Sequence, residues 1–360
     1  MIATAFRFSS YQIDFPQKKI VFNYEIKFGS KRSEVFTEEL VFPAECDFKK
    51  IPKELLNNFV VDLHLVLGLS YYKLYAPKKF EYDYKLSAEQ ADFFNVIYHK
   101  GLGEFCWRNK IKFKELAVFK GLAKNKRKAF DLDLRDVSLV GIGGGKDSIV
   151  ALELLKKEKL SLMGFILETD KDLPVAREVA QTAGIESLIV KRKLDPKIFK
   201  TWPDSFNGHI PISAIIAFIG SLTAVLSGQK YLAVANEQSS NFGNVSYGGE
   251  AVNHQWSKSS EFEELFQNYL NNNLVSNLKY FSPIRPYYEI RVVEMFSKMP
   301  EYFPIFTSCN RNFRIHFERP GGRWCGECPK CAFMFVLLGA FLPKAEVIKI
   351  FGKNMLEDES

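Results

Sequence analysis

Up to Pro43 hydrophobic and polar residues alternate in short runs, as at Phe6 and Phe8 and at Ile20, Phe22, Tyr24, Ile26 and Phe28, with turn residues such as Gly29-Ser30 between them. This period of two predicts a small antiparallel sheet. From Pro52 the pattern becomes helical, and LLNNFVVDLHLVLGLSYYKLY is apolar round most of its circumference, which predicts a buried helix. A second helix is predicted over 87–98, where Ser87 and Gln90 are spaced to satisfy each other's exposed backbone N–H groups. Beyond a basic connector at 120–128, apolar runs at 138–142, 162–167, 187–190 and 231–235 are separated by helical stretches. That alternation predicts an α/β fold with a doubly wound parallel sheet, which binds ligands beyond the carboxyl ends of its strands. The uncharged stretch 210–228 approaches bilayer length but contains Pro211, Ser213, Ser221, Thr223 and Ser227, so it is expected to be a buried helix without membrane insertion.

The strand-end residues carry the candidate chemistry. The run 137–142 leads into Gly143-Gly144-Gly145-Lys146-Asp147-Ser148, and apolar residues then recur at helical spacing. Glycines let backbone N–H groups approach a ligand, and a helix N-terminus favours negative charge, so a phosphate is the expected guest. A Walker A loop would need glycine at Val140 and serine or threonine at Asp147, and a dinucleotide loop would need glycine at Lys146; neither fits. Glu168-Thr169-Asp170 and Asn236-Glu237 follow two further strands on the same rim. Other polar concentrations are NGHIP, with His209, VNHQWSKS, with His254 and Lys258, and SPIRPYYEIR, whose Arg285 and Arg291 suit bidentate binding of a carboxylate or phosphate or simple surface pairing.

A formal charge of +7 suits a polyanionic partner, whether nucleotide, nucleotide-sugar or nucleic acid, without choosing among them. The opening residues lack the pattern of a secretory signal, which leads to an expectation of a cytoplasmic protein and reduced cysteines. Cys325, Cys328 and Cys331 form C-G-E-C-P-K-C, and Cys309 can complete a four-thiolate site. A structural zinc is the leading reading, while an iron–sulfur cluster uses the same ligand set. Cys46 and Cys106 stand alone as packing residues.

GGGKDS resembles the S-G-G-x-D-S loop of the PP-loop ATP pyrophosphatases, with Gly143 in place of the first serine, which implies cleavage of ATP between its α and β phosphates. The cysteine segment is similar to the zinc-binding tail of 7-cyano-7-deazaguanine synthase, with a longer gap after Cys309. Taken together, GLGEFCWRN, GGGKDS, NGHIP, ANEQSS, VNHQWSKS, YFSPIRPYYEIR and SCNRNF with WCGECPKC resemble the UDP-N-acetylmuramoyl-L-alanyl-L-glutamate epimerase family over roughly 60–345. The resemblance implies ATP- and Mg²⁺-dependent inversion of the terminal L-Glu of a UDP-linked muramoyl dipeptide in peptidoglycan precursor synthesis, with release of AMP and pyrophosphate and with no nucleic-acid partner. Gly143, Gly144, Gly145, Lys146, Asp147, Ser148, Glu168, Asn236 and Arg285 are then the nucleotide-binding candidates. His209, Glu237, His254 and Lys258 are the unranked candidates for proton transfer, and Cys309, Cys325, Cys328 and Cys331 hold the zinc. The expected organisation is an N-terminal α+β accessory domain at 1–117, a PP-loop domain at 118–300 and a four-cysteine segment at 301–360. The competing reading is a PP-loop ligase or amidotransferase acting on a nucleotide base or tRNA; oligomeric state is left open.

Overall fold

The computed structural model describes residues 2–29, 32–124, 126–169, 174–312 and 322–357. In chain order, β1 (Ala5–Asp14), β2 (Lys19–Phe28) and β3 (Arg32–Val41) precede α1 (Lys53–Leu67), α2 (Leu69–Tyr72), β4 (Phe80–Glu81), α3 (Ala88–Gly101) and α4 (Gly103–Asn109). The alternating part follows as β5 (Arg135–Gly141), α5 (Lys146–Lys157), β6 (Leu162–Thr169), α6 (Val175–Ala183), β7 (Ser187–Lys193), α7 (Ile212–Ser227) and β8 (Gln229–Ala233). Then come β9 (Val245–Tyr247), β10 (Glu250–Val252), α8 (Ser260–Asn273), β11 (Lys279–Phe281), α9 (Glu289–Phe296), α10 (Pro329–Gly339) and α11 (Lys344–Phe351). The chain divides into two compact units, the first made of 1–136, 190–232 and 240–280 and the second of 137–189, 233–239 and 281–360.

In the first unit, β2 pairs antiparallel with both β1 and β3, as the period of two predicts, and β4 lies parallel to β1. Strand β3 continues antiparallel onto the end of β7, with Leu40 opposite Arg192. The inward residues Phe6, Phe8, Phe22, Tyr24 and Ile26 are buried beneath α1 and α2. The single helix expected from Pro52 is divided at Gly68, where a Cβ would lie 2.6 Å from the Phe8 ring, so that glycine lets the sheet's aromatics press against the helix backbone. Helix α3 opens with the expected reciprocal cap, Ser87 N donating to Gln90 Oε1 at 2.9 Å and Gln90 N to Ser87 Oγ at 3.3 Å. Helix α7 is buried, and no helix among the described residues is long and apolar enough to cross a membrane. The short hairpin β9–β10 and strand β11 carry too few residues to show a period in the sequence.

This aromatic core encloses His64, whose Nε2 lies 3.0 Å from the Asn23 carbonyl and whose Nδ1 lies 2.5 Å from the Tyr84 hydroxyl. A carbonyl can only accept, so Nε2 carries the hydrogen and Nδ1 accepts from Tyr84. Burial holds this imidazole neutral, with its pKa lowered to about 3. The folded state therefore resists a proton that the unfolded chain takes up below its ordinary value of 6.5, and the His64 contribution is lost as pH falls from 6.5 toward 3. Between pH 6.5 and pH 5 the wild type should lose about 2 kcal/mol more unfolding free energy than His64→Phe. Denaturant unfolding at both pH values checks this; equal losses would refute it.

In the second unit β5 and β6 run parallel, Val140 opposite Gly164, with β7 next in order, giving the β5-α5-β6-α6-β7 alternation expected of an α/β sheet. Its core joins Val140, Ile149, Val150 and Leu152 to Val292 and Phe296 of α9 and Cys331 and Phe335 of α10. The C-terminal helices are thereby part of the same hydrophobic body as the glycine turn.

Candidate active site

The glycine turn lies between β5 and α5, as strand-turn-helix patterning requires. Gly144 adopts φ +84, and a Cβ there would sit 2.4 Å from Val175 Cγ1. A side chain is excluded both by the left-handed backbone and by the start of α6. Gly143 faces open space, Gly145 caps α5 without any side chain, and Ser148 Oγ donates to the Gly145 carbonyl at 2.9 Å. The turn is also braced from the C-terminal segment, where Thr307 N donates to the Gly144 carbonyl at 3.1 Å.

Lys146 is the first residue of α5, and its side chain is only 3% exposed. A buried cation at a helix N-terminus opposes both desolvation and the helix dipole. It persists because Nζ is paired with Asp147 Oδ1 and lies 2.8 Å from Glu289 Oε1. Burial acts to lower its pKa, but the two carboxylates outweigh that and raise it. Glu237, after β8, is buried; burial raises its pKa, the Ser239 N–H bond opposes this, and the Glu289 and Asp147 charges add to the rise. Arg285 Nη1 donates to the Glu237 carbonyl at 3.0 Å, while Asn236 is held by Ser282, whose Oγ accepts from Asn236 N at 3.0 Å and donates to its carbonyl at 2.8 Å. Glu168 is gripped by both Nε and Nη2 of Arg177, and its neighbour Asp170 lies outside the described residues. Arg291 forms a surface pair with Glu294.

The other proton-transfer candidates gather in the first unit. His209 follows the Asn207-Gly208 turn, which is tied down by Asn109 Nδ2 to the Asn207 carbonyl at 2.9 Å and Lys73 Nζ to the Gly208 carbonyl at 3.2 Å. The His254 ring centroid lies 6.5 Å from that of His209, and Lys258 is anchored through its carbonyl by Ser240 Oγ at 2.9 Å. Burial lowers the His209 pKa; Glu104 opposes this, and His254, Lys258 and Lys73 lower it further. His209 is therefore a neutral imidazole at neutral pH. By contrast, burial pushes the Cys106 thiol up to about 12, so no thiolate is available there. Sequence reasoning missed Glu289, Lys73 and Glu104. All three stood within segments already singled out, but their partners are distant in the chain.

In the C-terminal segment the sulfurs of Cys309, Cys325, Cys328 and Cys331 all lie within 4.8 Å of one another. Individual separations are 3.9 Å for Cys309–Cys328, 3.7 Å for Cys325–Cys331 and 3.4 Å for Cys328–Cys331. A tetrahedral zinc with Zn–S of about 2.3 Å has sulfur–sulfur edges of about 3.8 Å, so the donor set fits a single ion. In a four-iron cluster the thiolates bind different irons and stand further apart.

The MurL N-terminal domain model matches residues 2–283, and the MurL C-terminal domain model matches residues 305–360. The chain belongs to the MurL family. Among curated MurL-type relatives, UDP-N-acetyl-alpha-D-muramoyl-L-alanyl-L-glutamate epimerase of Xanthomonas oryzae pv. oryzae is 39% identical over 302 residues, covering 82% of this chain and 65% of its own. The proteins of the same name from Micromonospora sp. and Salinispora tropica are 34% and 31% identical, covering 99% and 98% of this chain and 79% and 77% of theirs. The chain thus spans just under two thirds of the Xanthomonas relative. Among solved structures, U34-tRNA thiolase NcsA from Methanococcus maripaludis aligns with 66% of this chain and 76% of its own at 14% identity and TM-score 0.32, too slight a likeness to bear on fold or chemistry. The MurL matches include both the glycine turn and the four cysteines.

Proposed function

We propose that this chain is the ATP-dependent epimerase of peptidoglycan precursor synthesis, inverting the terminal L-Glu of UDP-N-acetylmuramoyl-L-alanyl-L-glutamate through an acyl-adenylate and releasing AMP and pyrophosphate. The observation that carries the reading is the buried Lys146 beside Asp147 at a side-chain-free helix N-terminus, in a chain of the MurL family. Deprotonating the α-carbon beside a free carboxylate would build two negative charges on adjoining groups. Adenylation of that carboxylate removes one and makes an acyl group that can delocalise the carbanion. A base and an acid then remove and return the proton on opposite faces, and water releases AMP.

On this reading the glycine turn and Lys146 hold phosphate, with Glu168, Asn236 and Arg285 as further nucleotide-binding candidates. The carboxylate of Asp147 supplies oxygen donors of the kind Mg²⁺ takes, and the ion when bound neutralises phosphate charge. His209, a neutral imidazole, is a candidate for proton transfer, as are His254 and Lys258 of the same unit and Glu237 of the second unit. The four thiolates leave no open position on a zinc ion and suit a structural role. On this reading, with ATP and a nucleotide-linked substrate, the reaction belongs to the cytoplasm. Incubation with ATP, Mg²⁺ and the L-Glu substrate in D₂O should put deuterium on the glutamate α-carbon and yield D-Glu. Absence of both would overturn the proposal, and base- or tRNA-dependent AMP release instead would support the ligase reading.

A further inference from the structure

The anionic side of the glycine turn exceeds what a phosphate site needs. Asp147, Glu237 and Glu289 all act on one another or on Lys146, while the second cation beside Glu289, Lys330, stays 3.8 Å away. A triphosphate entering alone would meet carboxylate charge and find the buried ammonium already occupied. Glu289 is the informative member. It begins α9, where its backbone N–H donates to Ser239 Oγ at 3.1 Å, so its place is set by the fold and not by a ligand. Its Oε1 is buried and lies 2.8 Å from Lys146 Nζ. This contact holds Lys146 by charge attraction.

Resting on the nucleotide reading of the turn, we infer that Glu289 is a positioning residue that makes nucleotide binding metal-dependent: it holds the Lys146 ammonium and opposes phosphate until a divalent cation arrives with it. With the cation present, the added positive charge offsets the carboxylates and Lys146 is free to turn toward phosphate. Without it, Lys146 is kept on Glu289 and Asp147. Glu289→Gln keeps the shape and removes the charge, so it releases Lys146 and the repulsion together.

The test is ATP affinity by calorimetry, without the dipeptide substrate, in EDTA and in excess MgCl₂. In the wild type Mg²⁺ should strengthen ATP binding on the order of tenfold or more, and Glu289→Gln should raise the metal-free affinity on the order of tenfold, shrinking the Mg²⁺ effect to about threefold or less. Glu289→Asp keeps the charge and should keep the wild-type ratio. An unchanged ratio in Glu289→Gln, equal loss of affinity with and without Mg²⁺, or a collapsed ratio in Glu289→Asp would overturn the inference while leaving the nucleotide reading standing. A wild type that binds ATP under neither condition would overturn both.

Discussion

Asp147→Asn is expected to slow magnesium-dependent AMP release by about a hundredfold or more while leaving the unfolding midpoint nearly unchanged. The kinetic loss follows from the proposed role: a carboxylate that helps hold the cation contributes to charge neutralisation in the transition state, an effect of about 3 kcal/mol. The small structural effect follows from geometry. Asp147 is one-third exposed, and Lys146, the buried member of the pair, keeps its contact with Glu289. Asparagine also retains a polar oxygen beside Nζ. Substrate-dependent AMP release over a Mg²⁺ titration, with thermal unfolding alongside, separates the outcomes. Turnover unchanged at every Mg²⁺ concentration would refute the role, and an equal loss of turnover and folded population would reassign Asp147 to the fold.

The parts of this chain that could be read in advance are those where cause and effect lie close together in the sequence. A strand entering three glycines and a helix is a local arrangement, and the Ser87–Gln90 cap is closed within four residues. The cysteines were legible because ligand chemistry restricts their spacing. Glu289 was not, because an acidic residue in a first helical turn is ordinary and its partner lies on another helix. The same holds for the buried pairs Arg192–Glu38 and Arg127–Asp62, each of which joins distant segments of the first unit. His64 sat in a run read only as apolar, and its two hydrogen bonds come from a strand and a loop outside that run. What periodicity misses is the pairing of polar groups across the fold, and the electrostatics of the candidate site consist largely of such pairs.

Cys328→Ser is expected to lose the bound metal, lower stability by at least about 3 kcal/mol and weaken ATP binding as well. Structural zinc sites in small domains supply about 10–16 kcal/mol, so losing one thiolate removes a large share even if water takes its place. The stability effect should reach beyond the cysteine segment, because Cys328 and Cys331 belong to the core that holds α9 and α10 against α5. The effect on ATP has a separate path. Cys309 N donates to Thr307 Oγ1 at 3.1 Å, and Thr307 N in turn donates to the Gly144 carbonyl at 3.1 Å. The four-cysteine cluster and the glycine turn are therefore two links apart, and freeing Cys309 is expected to loosen the residue that braces Gly144. Metal content by atomic emission, unfolding by denaturant and ATP affinity by calorimetry give three independent readings. A metal-free, destabilised variant with wild-type ATP affinity would break the proposed link between the two sites; a fully metallated and stable one would refute the structural role of the four-thiolate centre.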